Sequence, residues 1–351
     1  MSWLSVDITE FGGPENLAVI EHEALPEPAA GELRVKVLTA GTGFTDTIIR
    51  QGQYVDVKDK APFTIGYDWV GEVDAVGAGV TDFQVGDWVC DMPVIGGYTQ
   101  YLTVPADKVV AVPREVDPAE AVCMILSYTT AYQMLTRVRD IPKGSKVLVH
   151  AAGGAVGTAC LELGREMGLE MYGTASQGKH DLVRSLGGTP IDYRTQDFEA
   201  EIKKLTNGEG VDVVLDTIGG KNFARSYRCL RKGGILIGFG ALQITTGEES
   251  TPSVIWGFLK LMALWKLIPD GKASTFYNIH TRRNKLPQEF KEDVSTLMTW
   301  LSEGRLKPTV AGRYPLTEAA EVHRMIEDYR IGGKAVLLCS EELIAGEAAK
   351  Q

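Results

Sequence analysis

The stretch Lys146-Val147-Leu148-Val149-His150-Ala151-Ala152-Gly153-Gly154-Ala155-Val156-Gly157 decides the architecture of this chain. Its apolar run, Val147-Leu148-Val149, reads as a buried strand, the small residues after it as a tight turn, and the following pattern as a helix to about Gly168. Ala152, Gly154 and Gly157 occupy the three positions of a G-x-G-x-x-G turn, with Ala standing for the first glycine. Small residues there let backbone N–H groups and the positive end of the helix dipole approach a pyrophosphate, and Gly157 lets helix and strand pack closely. Gly153, Ala155 and Val156 line the same turn and are counted with it as cofactor-binding. The alternative, a merely structural turn, is weakened by the setting, because another strand, Glu170 to Thr174, follows the helix.

An NAD site normally carries a carboxylate about 20 residues further on, where it holds the ribose hydroxyls. Here the second strand ends in Gly173-Thr174-Ala175-Ser176, with no acid, and Lys179 comes three residues later. A pocket lined by Thr174, Ser176 and Lys179 suits a 2′-phosphate, so the cofactor expected is NADPH rather than NADH. Tyr193, at the end of the next short strand, is placed to donate a hydroxyl or stack on the adenine edge. The plainer alternative for Lys179 is a solvated helix residue.

Outward from this core the alternation of strand and helix continues through a helix to about Leu186, then Val211 to Asp216 and Gly234 to Gly240. That pattern predicts an α/β nucleotide domain with a doubly wound parallel sheet, Gly238 and Gly240 falling at its cofactor edge. From Met1 to about Val122 the signals are instead short alternating runs, such as Leu33, Val35 and Val37, punctuated by Gly12-Gly13, Pro26, Pro28 and Gly41. From about Arg305 this β grain returns around a helix from Thr317, its expected cap, to Tyr329. The expected organisation is therefore a β domain of residues 1–122 and 305–351 with a nucleotide domain, 123–304, inserted, and an active site in the cleft between them.

At 351 residues the chain is long enough for two such domains, and its 44% hydrophobic and 23% charged residues are ordinary globular usage. A net charge of -10 without a basic run argues against nucleic acid as a partner. The five cysteines, Cys90, Cys123, Cys160, Cys229 and Cys339, form no CxxC, which argues for a reducing, cytoplasmic setting. The most apolar stretch, Val254 to Ile268, is too short to span a bilayer and carries Lys260 and Lys266, so it reads as a packed or interface helix. The small, polar tail after Glu341 is expected to fray.

With these residues in view, the chain from about Leu4 to Leu338 resembles the medium-chain dehydrogenase/reductase superfamily, in its quinone oxidoreductase branch. The landmarks are Gly66-Tyr67-Asp68-Trp69-Val70-Gly71, Gly86-Asp87-Trp88-Val89, Tyr128-Thr129-Thr130-Ala131-Tyr132 and the glycine turn, in that order. The stretch from Thr174 to Gly247, with Ile191-Asp192-Tyr193 and Gly219-Gly220, looks particularly like the vesicle amine transport protein homologues of that branch. The resemblance implies a Rossmann-type sheet inserted in a GroES-like β-barrel domain, and a homodimer paired through the edges of the nucleotide-domain sheets.

Zinc alcohol dehydrogenases of the superfamily hold their catalytic metal with a Cys and with the His, and sometimes the Glu, of a Gly-His-Glu motif. This chain has Gly43, Tyr67 and Asp68 at those places, and one carboxylate cannot build a tetrahedral N/S site. Without a metal, the oxyanion that develops as hydride arrives must be met by hydroxyl or backbone donors. Tyr54, closing Arg50-Gln51-Gly52-Gln53-Tyr54, matches the tyrosine of related enoyl reductases, and Thr130 matches a threonine near the nicotinamide of quinone reductases. Thr45 occupies a neighbouring turn, as does Asp46. A packing tyrosine and a helix-capping threonine are the plainer alternatives.

These expectations converge on an NADPH-dependent reductase of a small hydrophobic quinone or α,β-unsaturated carbonyl, with catalytic Tyr54, Thr130 and Thr45. Two further readings stay open: an enoyl reductase acting in trans on thioester-bound acyl chains, and a cofactor-binding but non-catalytic structural or membrane-associated relative.

Overall fold

The computed structural model describes residues 2–242 and 251–349, so the end of the family-like stretch, 243–247, lies outside the described residues. The chain divides into two units, Met1–Thr129 with Leu286–Gln351, and Thr130–Lys285.

The second unit is built on a six-stranded sheet in the spatial order Gly188–Asp192, Glu170–Ala175, Lys146–Val149, Val211–Asp216, Leu230–Gly238, Ala273–Phe276. Every pairing in it is parallel. In chain order this is 3-2-1-4-5-6, the doubly wound arrangement, with the strand order reversing beside Lys146–Val149. Parallel strands covered by helices on both faces read as nearly unbroken apolar runs, and Val147, Leu148, Val149, Val213, Val214 and Leu215 are accordingly buried. Helix Ala155–Glu166 turns Ala159, Cys160, Leu161 and Leu163 inward.

The first unit carries a seven-stranded, largely antiparallel sheet and a three-stranded one, Leu17–His22, Trp3–Ile8 and Phe63–Thr64. Strand Glu32–Gly41 is its spine, pairing with Asp68–Val76, Tyr101–Pro105 and Lys334–Leu338. The return to this unit comes at Leu286, earlier than the expected 305, because helix Pro287–Ser302 packs along strand Val110–Val112 and the helical segment Met124–Tyr128. Likewise the first crossing falls at Thr129/Thr130 rather than 122/123, since helix Pro118–Cys123 runs straight into Met124–Tyr128 against strand Asp68–Val76.

Two local expectations, the cap at Thr317 and the fraying tail, are corrected, and the apolar stretch is helical as expected. Thr317 sits inside a short 3-10 turn, Leu316–Glu318, and helix Ala319–Glu327 begins after it, without a side-chain cap. The tail is ordered as helix Glu341–Ala348, tied down by Glu342, which takes Lys36 Nζ at 2.8 Å. The apolar stretch forms helix Thr251–Met262 and a 3-10 turn Leu264–Leu267, packed through Val254, Leu261 and Trp265 but leaving Ile255, Trp256, Leu259, Met262, Leu267 and Ile268 exposed. Among the described residues no helix is long and apolar enough to cross a membrane.

Candidate functional site

In the nucleotide unit the glycine turn is held by its neighbours on both sides. Ala151 takes φ +54°, the left-handed conformation that closes the turn. The Ala152 N–H then donates to the Thr174 carbonyl at 2.9 Å, and the Gly154 N–H to the Ala151 carbonyl at 3.0 Å. Helix Ala155–Glu166 starts at the next residue, so its free first-turn N–H groups open at the turn. A Cβ on Gly157 would lie 2.3 Å from the Ala151 carbonyl oxygen, which leaves glycine as the residue that fits. Ala152 in place of the first glycine is matched by Gly173 on the next strand, where a Cβ would lie 2.5 Å from the Ala152 methyl.

Lys179 follows Ser176 in a 3-10 turn, its N–H bonded to the Ser176 carbonyl at 2.9 Å. Its stem lies over Gly153, and burial there lowers the ammonium below its ordinary pKa. Tyr193 is about half exposed, with the Arg194 guanidinium 5.8 Å from its ring centre. Gly238 is packed against Phe223 and Leu261 at the end of its strand, and at Gly240 the backbone passes so close to Thr217 that a Cβ would lie 2.3 Å from its Oγ1. Thr130 is buried near the start of helix Thr129–Thr136.

A buried polar chain at the strand ends escaped the sequence reading. Asp216 can only accept, so the Ser226 hydroxyl donates to it at 2.6 Å, with Asn222 Nδ2 donating alongside at 2.9 Å. The Ser226 oxygen then takes the proton of His150 Nε2 at 3.0 Å, and His150 Nδ1 accepts from the Thr174 hydroxyl at 3.0 Å. Burial holds the His150 pKa below its ordinary value, against the pull of Asp216. The Thr174 side chain, expected at the cofactor, thus serves this network, while its carbonyl anchors the turn. The one visible signal was a histidine closing an apolar strand.

In the first unit, Tyr54 and Tyr67 join their hydroxyls at 2.8 Å, their rings edge to face at 6.0 Å. Tyr67 is fully buried and Tyr54 partly so, and burial pushes the Tyr54 phenol up to about 12 and raises that of Tyr67 well above its ordinary value. Thr45 stands half-buried on helix Phe44–Arg50, one residue before Asp46. Asp46 accepts the Gly43 N–H at 2.8 Å, while its second oxygen is buried and finds no partner among the described residues. Burial above all, and then Asp68, raise its carboxyl to about 8.

Asp68 is itself buried and paired with Lys334 Nζ at 2.8 Å. The three places at which related enzymes hold zinc thus present a glycine, a phenol committed to another phenol, and a carboxylate committed to a lysine. That donor set does not fit a zinc ion.

Known families and proteins match this chain over most of its length. Residues 29–114 match the alcohol dehydrogenase GroES-like domain, and residues 186–337 match the family described as zinc-binding dehydrogenase. The chain is 31% identical over 342 residues to the synaptic vesicle membrane protein VAT-1 homolog of Rattus norvegicus, covering 95% of this chain and 84% of that protein. It is 32% identical over 344 residues to the 2-haloacrylate reductase of Burkholderia sp, covering 94% and 97%. Among solved structures, Escherichia coli quinone oxidoreductase complexed with NADPH superposes with a TM-score of 0.83 at 26% identity, over 95% of this chain and 99% of that one.

Proposed function

Since the chain belongs to the medium-chain dehydrogenase/reductase superfamily, in its zinc-free quinone oxidoreductase branch, we propose that it is an NADPH-dependent reductase of quinones or α,β-unsaturated carbonyls. The observation that carries the cofactor choice is Lys179 lying over Gly153 beside a second strand that ends without an acid. The backbone N–H groups of Gly153, Ala155 and Val156, which the turn itself does not use, bind the pyrophosphate, Lys179 takes the 2′-phosphate and Tyr193 lies along the adenine edge. When bound, the reduced nicotinamide supplies the hydride. Tyr54 meets the charge that develops on the acceptor oxygen, with Thr130 and Thr45 as further hydroxyls. A relative described as a 2-haloacrylate reductase and another as a quinone oxidoreductase support an electron-poor acceptor.

The protein works as a homodimer in this reading. Strand Ala273–Phe276 ends the parallel sheet, and the exposed residues Ile255, Trp256 and Leu259 lie on the helix packed beside it. Five buried cysteines, none of them in a disulfide among the described residues, suit a reducing, cytoplasmic setting.

A screen of NADPH oxidation across quinones, plain enones and acyl thioesters tests the assignment. Turnover of quinones or enones is the expected result. Turnover of thioesters alone identifies the enoyl reductase, and tight NADPH binding without turnover of any acceptor identifies a non-catalytic relative.

A further inference from the structure

Tyr67 stands where the zinc enzymes place a metal ligand, and its hydroxyl meets that of Tyr54 at 2.8 Å. We propose that Tyr67 is a positioning residue: it donates its proton to the Tyr54 oxygen, so that the Tyr54 proton faces the acceptor. The inference rests on the reductase reading given above and adds the device that makes Tyr54 the donor.

The direction of the bond follows from burial. Tyr67 is fully buried, and among the described residues its hydroxyl has Tyr54 as its one partner. Were Tyr54 the donor, the Tyr67 proton would be left in the interior without an acceptor, which buried hydroxyls avoid. With Tyr67 donating, both protons are placed, because Tyr54 is partly exposed and its own O–H is free to turn outward. The same bond acts on acidity: it lowers the Tyr54 pKa, against burial and the charges of Asp56 and Asp46, which raise it. As the acceptor gains its hydride, the carbon–carbon π pair becomes an enolate. The Tyr54 O–H bond then breaks as its proton forms an O–H bond on the enolate oxygen, the enol passes to the carbonyl by proton exchange with water, and the phenolate left behind keeps the Tyr67 hydrogen bond until water returns a proton.

The test uses the full chain labelled with 3-fluorotyrosine, whose phenol ionises at lower pH, and 19F NMR. The Tyr54 signal is assigned by its loss in Tyr54→Phe. In Tyr67→Phe it is expected to titrate about one pH unit higher, a tenfold weaker acid. An unchanged or lower midpoint overturns the proposal. Should Tyr67→Phe fail to fold, the Tyr67 signal is followed in Tyr54→Phe instead; it must shift on losing its acceptor, and an unmoved signal refutes the pair. In turnover of a plain enone, Tyr67→Phe is expected to lower kcat about tenfold at constant KM, and to add nothing in the Tyr54→Phe background. An equal fall in both backgrounds shows that Tyr67 acts otherwise. A wild type inert toward every acceptor refutes the reductase reading, while the titration still decides the pair.

Discussion

The stem of Lys179 lies directly on Gly153: a methyl group added to that glycine would sit 2.6 Å from Lys179 Cδ and 2.9 Å from its Cβ. The lysine is thereby fixed across the phosphate-binding turn rather than left in solvent. Lys179→Ala should weaken NADPH by ~1.5–3 kcal/mol, and NADH far less, because only NADPH carries the 2′-phosphate. Gly153→Ala should retain the fold, since the displaced group is a flexible stem, and lose part of the same affinity. Fluorescence titration with both cofactors checks this, and equal losses for the two assign Lys179 to the fold.

Tyr54→Phe keeps the ring that packs against Tyr67 and removes the hydroxyl. It should preserve NADPH affinity and lower kcat on a plain enone, by an amount on the order of 3–4 kcal/mol, the usual cost of one donor to a developing oxyanion. A quinone should show a smaller loss, because its reduced form takes a proton from solvent. Steady-state rates on both acceptors decide it, and wild-type rates on both would assign Tyr54 to packing.

Asp46 makes stability fall with rising pH. Burial, with Asp68 adding to it and Lys334 opposing it, raises its carboxyl from 3.8 to about 8. Between those values the folded chain holds a proton that the unfolded chain releases. The stabilisation is full below the unfolded pKa and is lost as pH rises through the folded one, with a slope up to about 1.4 kcal/mol per pH unit. Asp46→Asn, an isostere of the neutral acid, should remove this slope. Urea unfolding from pH 5 to 8 measures it, and parallel curves for the two proteins would refute the assignment.

Asp68 and Lys334 are both buried, with side chains 0% and 2% exposed. Lys334→Met leaves the carboxylate alone in the interior and should cost about 3–5 kcal/mol, most of it recovered by adding Asp68→Leu. Denaturant midpoints of the single and double variants check this. The same pairing keeps Asp68 from a metal, so elemental analysis should find no stoichiometric zinc; one zinc per chain, lost together with activity, contradicts it.

Trp256 is 51% exposed and Leu259 44% exposed, on the helix packed beside the edge strand. Trp256→Glu with Leu259→Lys should convert a dimer into a monomer with unchanged far-ultraviolet circular dichroism. Sedimentation at micromolar concentration reads the result, and a wild-type monomer removes the dimer from the proposal.

The amino-acid sequence determined the nucleotide unit almost alone. A strand, a turn of small residues and a helix start are chemically local, since Ala151 to Gly157 settle their own backbone conformation and the packing distance of the helix. The absence of an acid after Gly173 was equally legible. The cap at Thr317 and the fraying of the tail were misread, because a 3-10 turn and an ion pair from Lys36 to Glu342 outweighed local preference. What only the tertiary structure decided is the partner of each buried polar group. His150 meets Thr174 and Ser226, 24 and 76 residues away, and Asp68 meets Lys334 across 266. Tyr67 meets Tyr54 by the same logic, where a metal ligand would otherwise stand. A buried donor or carboxylate must be satisfied by whatever the fold brings within 3 Å of it. That choice belongs to long-range packing and the loss of water, which no contiguous stretch of residues records.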